Sequence, residues 1–165
     1  MFDGLADSAG YRFLPDDPPS SVEGLRARYV VLAGGSSADG SEIWHNWVIR
    51  CRNDHNLLGY TQATVQGPNA MVGYHVFPSH WRQGYATEAM MKTLDMLFAM
   101  PSIDQANAFV DTRNVASISL LKRLGFTVER MIENADFFKG SQSDEFEFRL
   151  SRGAWAAHSL RERKR

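Results

Sequence analysis

Tyr74-His75-Val76-Phe77-Pro78-Ser79-His80-Trp81-Arg82-Gln83-Gly84-Tyr85-Ala86-Thr87-Glu88-Ala89 is the stretch around which the rest of the sequence organises. It begins inside a strand-like segment, Met71 to Phe77, on which Val72, Tyr74 and Val76 share one face and Met71, Gly73, His75 and Phe77 the other. Pro78 ends the strand, a short polar loop follows, and a helix is expected from about Gly84 to Met100. Ala86, Met90, Leu94 and Leu97 form its apolar stripe, Lys92 and Asp95 lie off it, and Pro101 stops it. A strand that turns through glycine into a helix leaves backbone N–H groups unpaired at a positive helix end, which is a ready anion site. Gly84 would let a phosphate come close to the backbone, and Ala86 keeps the next turn narrow. A plain loop with a glycine before a helix is the competing reading.

On the N-terminal side, three strand-like segments, Ile43 to Arg50, Leu57 to Gln66 and Met71 to Phe77, are joined by turn-rich connections at 52–56 and 67–69. Hairpins and an antiparallel sheet are expected. Before them, Val22, Leu25, Tyr29 and Leu32 recur at helical spacing behind the turn cluster Pro15-Asp16-Asp17-Pro18-Pro19-Ser20. Gly34-Gly35-Ser36-Ser37-Ala38-Asp39-Gly40 ends that helix as a flexible connector, since it lacks the Gly-Lys-Ser/Thr ending of a phosphate loop. On the C-terminal side come a strand at Ala106–Asp111, a helix from Asn114 ended by Gly125, and strands at Phe126–Ile132 and Asp144–Leu150. A short helix over 154–165 frays into the basic Arg161-Glu162-Arg163-Lys164-Arg165. The tail reads as a solubilising end rather than a nucleic-acid arm.

The 165 residues are 44% apolar, enough to build one compact core. With 18 Lys+Arg against 19 Asp+Glu, the net charge of −1 argues against bulk nucleic-acid binding. Cys51 is the single cysteine, which excludes an internal disulfide and a Cys-pair zinc site. His45, His55, His80 and His158 show no ligand spacing, so no metal is expected. No apolar run reaches the roughly 20 residues of a membrane span, and no basic-then-apolar leader is visible. A cytoplasmic, single-domain protein is expected, with no membrane partner.

Trp81-Arg82-Gln83-Gly84-Tyr85-Ala86, with its flanks, resembles the pyrophosphate loop of the GNAT superfamily of acyl-CoA-dependent N-acetyltransferases, Gln/Arg-x-x-Gly-x-Gly/Ala. Trp81 at the first position is similar to the branch related to ribosomal-protein N-terminal acetyltransferases (RimJ/RimL-like), and Arg82 stands where that branch often has glycine. About 30 residues on, Asp111-Thr112-Arg113-Asn114 through Leu124-Gly125-Phe126 looks like the family's strand, Asn, helix and Leu-Gly-Phe unit. Phe137-Phe138-Lys139-Gly140, followed by Asp144 and a last strand, also fits.

The resemblance implies an α+β, three-layer fold: a mixed, mostly antiparallel sheet splayed into a V and flanked by helices. It spans one domain over 1–165, with a helical acceptor-side region at 1–41, the cofactor-binding sheet and helices at 42–152, and a C-terminal helix and tail at 153–165. Relatives usually begin with a strand, and Met1-Phe2-Asp3-Gly4-Leu5 carries no such pattern, so the first strand is expected to be missing or shortened.

The resemblance also implies direct transfer of acetyl from acetyl-CoA, as co-substrate, to a primary amine of a protein N-terminus or a small molecule. Main-chain groups of Val76 and Phe77 would pair with the pantetheine arm. Amides of Arg82, Gln83, Gly84, Tyr85, Ala86 and Thr87 would hold the pyrophosphate, with Arg82 adding a charge. Asn114 is either a helix N-cap or a hydrogen-bonding partner of the cofactor. Many relatives carry a tyrosine acid seven residues after that Asn; here the position is Leu121, which leaves Ser117 as the candidate acid for the leaving thiol. His75 is a packed histidine or a base, and Glu42, Asp111 and a backbone carbonyl are relay candidates; the sequence names no base. Of Trp44 and Trp47, one is expected in the core and the other along the acceptor pocket. Cys51 is a strand-end residue, because direct transfer needs no nucleophile. A homodimer is possible, and a non-catalytic acyl-CoA sensor is the alternative function.

Overall fold

The computed structural model describes residues 1–162, and side chains through 160. The chain enters through a one-turn helix α1 (Phe2–Leu5) and a 3-10 turn (Ser8–Tyr11), then helix α2 (Val22–Leu32), whose first turn is capped by Ser21 accepting from the Gly24 amide. Strands β1 (Ile43–Arg50), β2 (Leu57–Gln66) and β3 (Asn69–Val76) follow, then α3 (Tyr85–Phe98), β4 (Gln105–Asp111), α4 (Val115–Arg123), β5 (Thr127–Phe138), β6 (Ser141–Ser151) and α5 (Arg152–Glu162). The six strands form one sheet in the order β1-β2-β3-β4-β6-β5. Every neighbouring pair is antiparallel except β3 with β4.

That exception opens the sheet. β3 and β4 run parallel and pair only from Asn69–Met71 to Gln105–Asn107. Beyond Val72 on one side and Ala108 on the other they diverge, and the sheet becomes the V that the resemblance implies.

The two faces of the V have separate cores. On one, α3, α4 and α5 cover the sheet: Met90, Leu94 and Leu97 of α3 are fully buried against Ala63, Val72, Ala106 and Phe148. This is the stripe read from the sequence. On the other, Leu5, Leu25 and Phe77 form a smaller cluster under α1 and α2. The loop after the 3-10 turn is tied to the far edge by Lys139, whose Nζ donates to the carbonyls of Leu14 and Asp16 at 2.7 and 3.0 Å.

Two expectations change. The glycine-rich segment at 34–40 is a tied turn rather than a free connector. The Asp39 carboxylate accepts from Ser37 Oγ, Ser41 N and Ser41 Oγ, and these bonds hold its pKa down to about 2. Gly35–Ser37 also meets the outer edge of β1 through a bridge from Ser36 to Ile43 and the Trp44 N–H to Gly35 carbonyl bond. β5 runs to Phe138, six residues past the expected end, because the chain reverses only at Lys139-Gly140, where both φ angles are positive (50° and 77°) as a tight hairpin turn requires. Among the described residues the first strand of the sheet is β1, which follows α1 and α2. Of the basic tail, residues 163–165 lie outside the described residues.

Candidate active site at the strand splay

The mouth of the V is shaped by a bulge. β2 has one more residue than β1 between Ile49 and Arg50, and Gly59 takes a φ of 150° there. Without a side chain, Gly59 lets β2 lie close to His75 and Val76 at the top of β3. The Phe77 N–H donates to the Leu58 carbonyl at 2.8 Å, so Phe77's amide faces β2. By antiparallel alternation, the polar groups of Val76, Tyr74 and Val72 face the gap instead. The Val76 carbonyl already accepts from Trp81 Nε1 at 2.7 Å, which anchors the loop over the end of the strand. The two residues expected along the pantetheine arm are therefore not equivalent, and the Val76 N–H is the group turned to the gap.

The loop then enters α3 through two left-handed residues, Arg82 (φ 64°) and Gly84 (φ 86°). The first is a conformation that glycine adopts without strain, in keeping with the glycine that the resemblance implies at the Arg82 position. The first helical bond of α3 runs from the Glu88 N–H to the Gly84 carbonyl at 3.1 Å, leaving the amides of Tyr85, Ala86 and Thr87 ahead of it with no acceptor inside the helix. Arg82, Gln83 and Gly84 are exposed, Tyr85, Ala86 and Thr87 half-buried, and a Cβ placed on Gly84 would meet no atom within 4 Å. The result is an open cradle of donors at a positive helix end, which fits a pyrophosphate.

Across the gap, β4 leads into α4. Asn114 is its N-cap, the Oδ1 accepting from the Ser117 N–H at 3.1 Å. Ser117 sits one turn in, and its Oγ lies 2.5 Å from the Tyr74 hydroxyl of β3. Tyr74 is the functional candidate that sequence reasoning did not single out. Its face of β3 was legible, but its partner is 43 residues away. Burial pushes the Tyr74 phenol above its ordinary pKa, opposed by the Ser117 bond.

The face under α1 and α2 carries the other candidates. His75 is 5% exposed, stacked on Tyr60 with Tyr11 beside it, and its Nε2 has no hydrogen-bond partner among the described residues. Burial lowers its pKa, so it is a neutral, packed ring. Asp111 accepts from the Arg113 backbone, from the Arg113 guanidinium and from Ser143 at 2.8 Å, and the Arg113 bonds lead in holding its carboxyl below the usual range. It is an anchored carboxylate and a weak base. Glu42 accepts from Trp44 Nε1. Glu145, opposite Asp111 on β6, is the reverse case: burial first, then Asp136 and Asp111, raise its pKa. A cavity of about 780 Å³ lies between α2, the 11–20 loop and the β1–β2 face, lined by Tyr11, Asp16, Arg28, Trp44, Tyr60 and Gln62 among others. Trp44 and Trp47 both line this cavity, and Trp47 also packs against the α3-side core, so the expected division of one tryptophan to the core and the other to the pocket is incomplete.

These shifts fix the response to acid. His75 binds its proton less well folded than unfolded, so stability falls as pH drops through the unfolded value near 6.5. Asp111 is also depressed, so its contribution is present above about 3.8 and lost as pH falls below that. Thermal melts should show two acid losses, one below pH 7 and one below pH 4, and His75→Phe should remove only the first. A melt flat between pH 7 and 5 in the wild type contradicts the packed, neutral His75.

A profile described as "Acetyltransferase (GNAT) domain" matches residues 2–127, and the chain belongs to that family. Among similar sequences, uncharacterized N-acetyltransferase p20 of Bacillus licheniformis is 30% identical over 98 residues, covering 59% of this chain and 55% of the relative. Uncharacterized N-acetyltransferase YoaA of Bacillus subtilis (strain 168) is 30% identical over 101 residues, covering 59% and 57%. The match thus spans little more than half the length of these relatives. The fold resembles spermidine N-acetyltransferase from Vibrio cholerae, solved with CoA and spermine, with a TM-score of 0.78 at 17% identity over 94% of this chain and 89% of that one. A probable GNAT-family acetyltransferase from Chromobacterium violaceum ATCC 12472 gives 0.78 at 22% identity, covering 94% and 78%. Among the described residues no group of His, Cys, Asp or Glu is placed to hold a metal, and no helix is long and apolar enough to cross a membrane.

Proposed function

We propose that this chain is an acetyl-CoA-dependent N-acetyltransferase that moves acetyl directly to a primary amine, of the RimJ/RimL-like branch. The observation that carries the reading is the cradle at Arg82–Thr87, set at the end of a strand whose gap-facing amides are released by the splay. Acetyl-CoA supplies an activated acyl group on a thiol that leaves readily, with an ordinary thiol pKa of about 8.5. The chain supplies position and protons. Amides of Tyr85, Ala86 and Thr87 bind the pyrophosphate, with Arg82, Gln83 and Gly84 forming the approach. The Val76 N–H holds the pantetheine arm or the carbonyl oxygen on which charge develops. Asn114 caps α4 through Oδ1 and keeps its NH₂ for the cofactor.

Ser117 gives a proton to the departing sulfur, which converts a poor anion into a thiol. Ser117→Ala is expected to lower kcat about 100-fold while leaving acetyl-CoA affinity nearly unchanged. Wild-type kcat across the pH profile in that variant removes Ser117 from the role. The amine enters from the cavity under α2, whose phenols, side-chain amides, Asp16 and Arg28 suit a polar acceptor. The Vibrio relative's polyamine ligand and the branch's peptide N-termini are both compatible with it. A panel of small amines and peptides, followed by thiol release at saturating acetyl-CoA, tests the function and identifies the acceptor class. Saturable binding with no amine-dependent release is the outcome expected of a non-catalytic acyl-CoA sensor, the second reading, which the absence of tyrosine at position 121 favours.

A further inference from the structure

We infer that Tyr74 acts through Ser117 as the proton source for the leaving thiol, so that the strand supplies the phenol that α4 lacks at Leu121. The inference rests on the acetyl-transfer reading above.

Serine alone is a poor acid: proton loss from its hydroxyl leaves an alkoxide, a far stronger base than a thiolate. The 2.5 Å contact between Ser117 Oγ and the Tyr74 hydroxyl changes which anion results. Two hydroxyls joined by one hydrogen bond keep one O–H free. With the more acidic phenol as donor, that free O–H belongs to Ser117 and is polarised by the bond behind it. As the C–N bond forms and the C–S bond breaks, sulfur keeps the electron pair. The Ser117 proton moves to sulfur and the Tyr74 proton moves to Ser117 Oγ. The charge rests on a phenolate: burial holds the Tyr74 phenol above its ordinary pKa of about 10, yet it remains a stronger acid than a serine hydroxyl. The proton lost by the acceptor nitrogen returns to Tyr74 through water, which restores the pair. The geometry suits this division of labour. Tyr74 is half-buried and packed against the α3-side core, so its ring is fixed. Ser117 is held by the Asn114 cap on its own amide. Each hydroxyl thus comes from a different wall of the V, and their bond spans it.

The test compares Tyr74→Phe, Ser117→Ala and the double variant, with 3-fluorotyrosine placed at position 74 as an isosteric control. Tyr74→Phe should lower kcat about tenfold or more, with acetyl-CoA affinity unchanged, and the double variant should be no slower than Ser117→Ala. Fluorotyrosine should keep the fold and shift the alkaline limb of the kcat profile to lower pH. A readout independent of turnover is the tyrosine ring-carbon NMR signal that Tyr74→Phe removes. It should shift on CoA addition in the wild type and stay put in Ser117→Ala. Wild-type kcat in a folded Tyr74→Phe protein, multiplicative losses in the double variant, or a fluorotyrosine limb that does not move each overturn the inference while leaving acetyl transfer intact. No amine-dependent thiol release in the wild type overturns the transfer reading itself, and this inference with it.

Discussion

Gly84→Asp is expected to weaken acetyl-CoA binding by about 10- to 100-fold, or roughly 1.4 to 2.7 kcal/mol. The position is left-handed (φ 86°), and a Cβ there meets nothing within 4 Å. Asp tolerates that backbone better than most residues, so the variant should fold. What changes is electrostatic. A carboxylate would stand beside the unpaired amides of α3, take up their positive potential and repel a pyrophosphate. Gly84→Asn is the matching control: nearly the same shape, the same backbone tolerance, no charge. It should retain most of the affinity. Equal losses in both variants would point to backbone strain rather than to an anion site, and unchanged affinity in a folded Gly84→Asp protein would falsify the cradle.

Gly59→Ala is expected to be the most damaging single methyl group in the sheet. Its Cβ would fall against the backbone carbonyl of His75 and within 2.9 Å of Val76 Cα, and both belong to a paired strand that has nowhere to move. The φ of 150° adds a backbone penalty for any L side chain. A loss of about 2–4 kcal/mol is expected, which for a domain of this size lowers Tm by roughly 5–15 °C. The bulge also aims the top of β3, so survivors of the substitution should bind acetyl-CoA less well. A melting point within a degree or two of wild type contradicts the account of the bulge.

Most of the fold was legible because its signals are local. The stripe of α3, the end of α2, the bounds of β2, the Asn114 cap and the Gly125 stop are each carried by residues a few positions apart, and each appears where the pattern puts it. β5 extends past the end its pattern predicts because it is an edge strand. Glu129, Arg130, Glu133, Asn134 and Ala135 are exposed along it, so period-two alternation is lost after Ile132. The 34–40 segment reads as free by composition, and the Asp39 hydrogen bonds, the Ser36 to Ile43 bridge and the Trp44 N–H to Gly35 carbonyl bond tie it down. The cradle was visible as a strand, loop and helix start. The site's other half was not, because it depends on pairings far apart in sequence. Nothing local to Tyr74 announces Ser117, and nothing local to Phe77 announces that its amide belongs to Leu58. The histidine is the inverse lesson. His75 has a suitable ordinary pKa for a base, yet its surroundings of Tyr11, Tyr60, Phe77 and Gly10 make it a packed ring.

The central claim is that acetyl passes directly from a thioester, held by the α3 cradle, to an amine. Its most direct test is to measure free thiol and acetylated amine together, in wild type and Gly84→Asp side by side at an acetyl-CoA concentration well below saturation. The two products should appear in equal amounts, only when an amine is present, and the rate should fall in Gly84→Asp in proportion to its lost affinity. Thiol release that does not require the amine, or that is indifferent to residue 84, contradicts the claim.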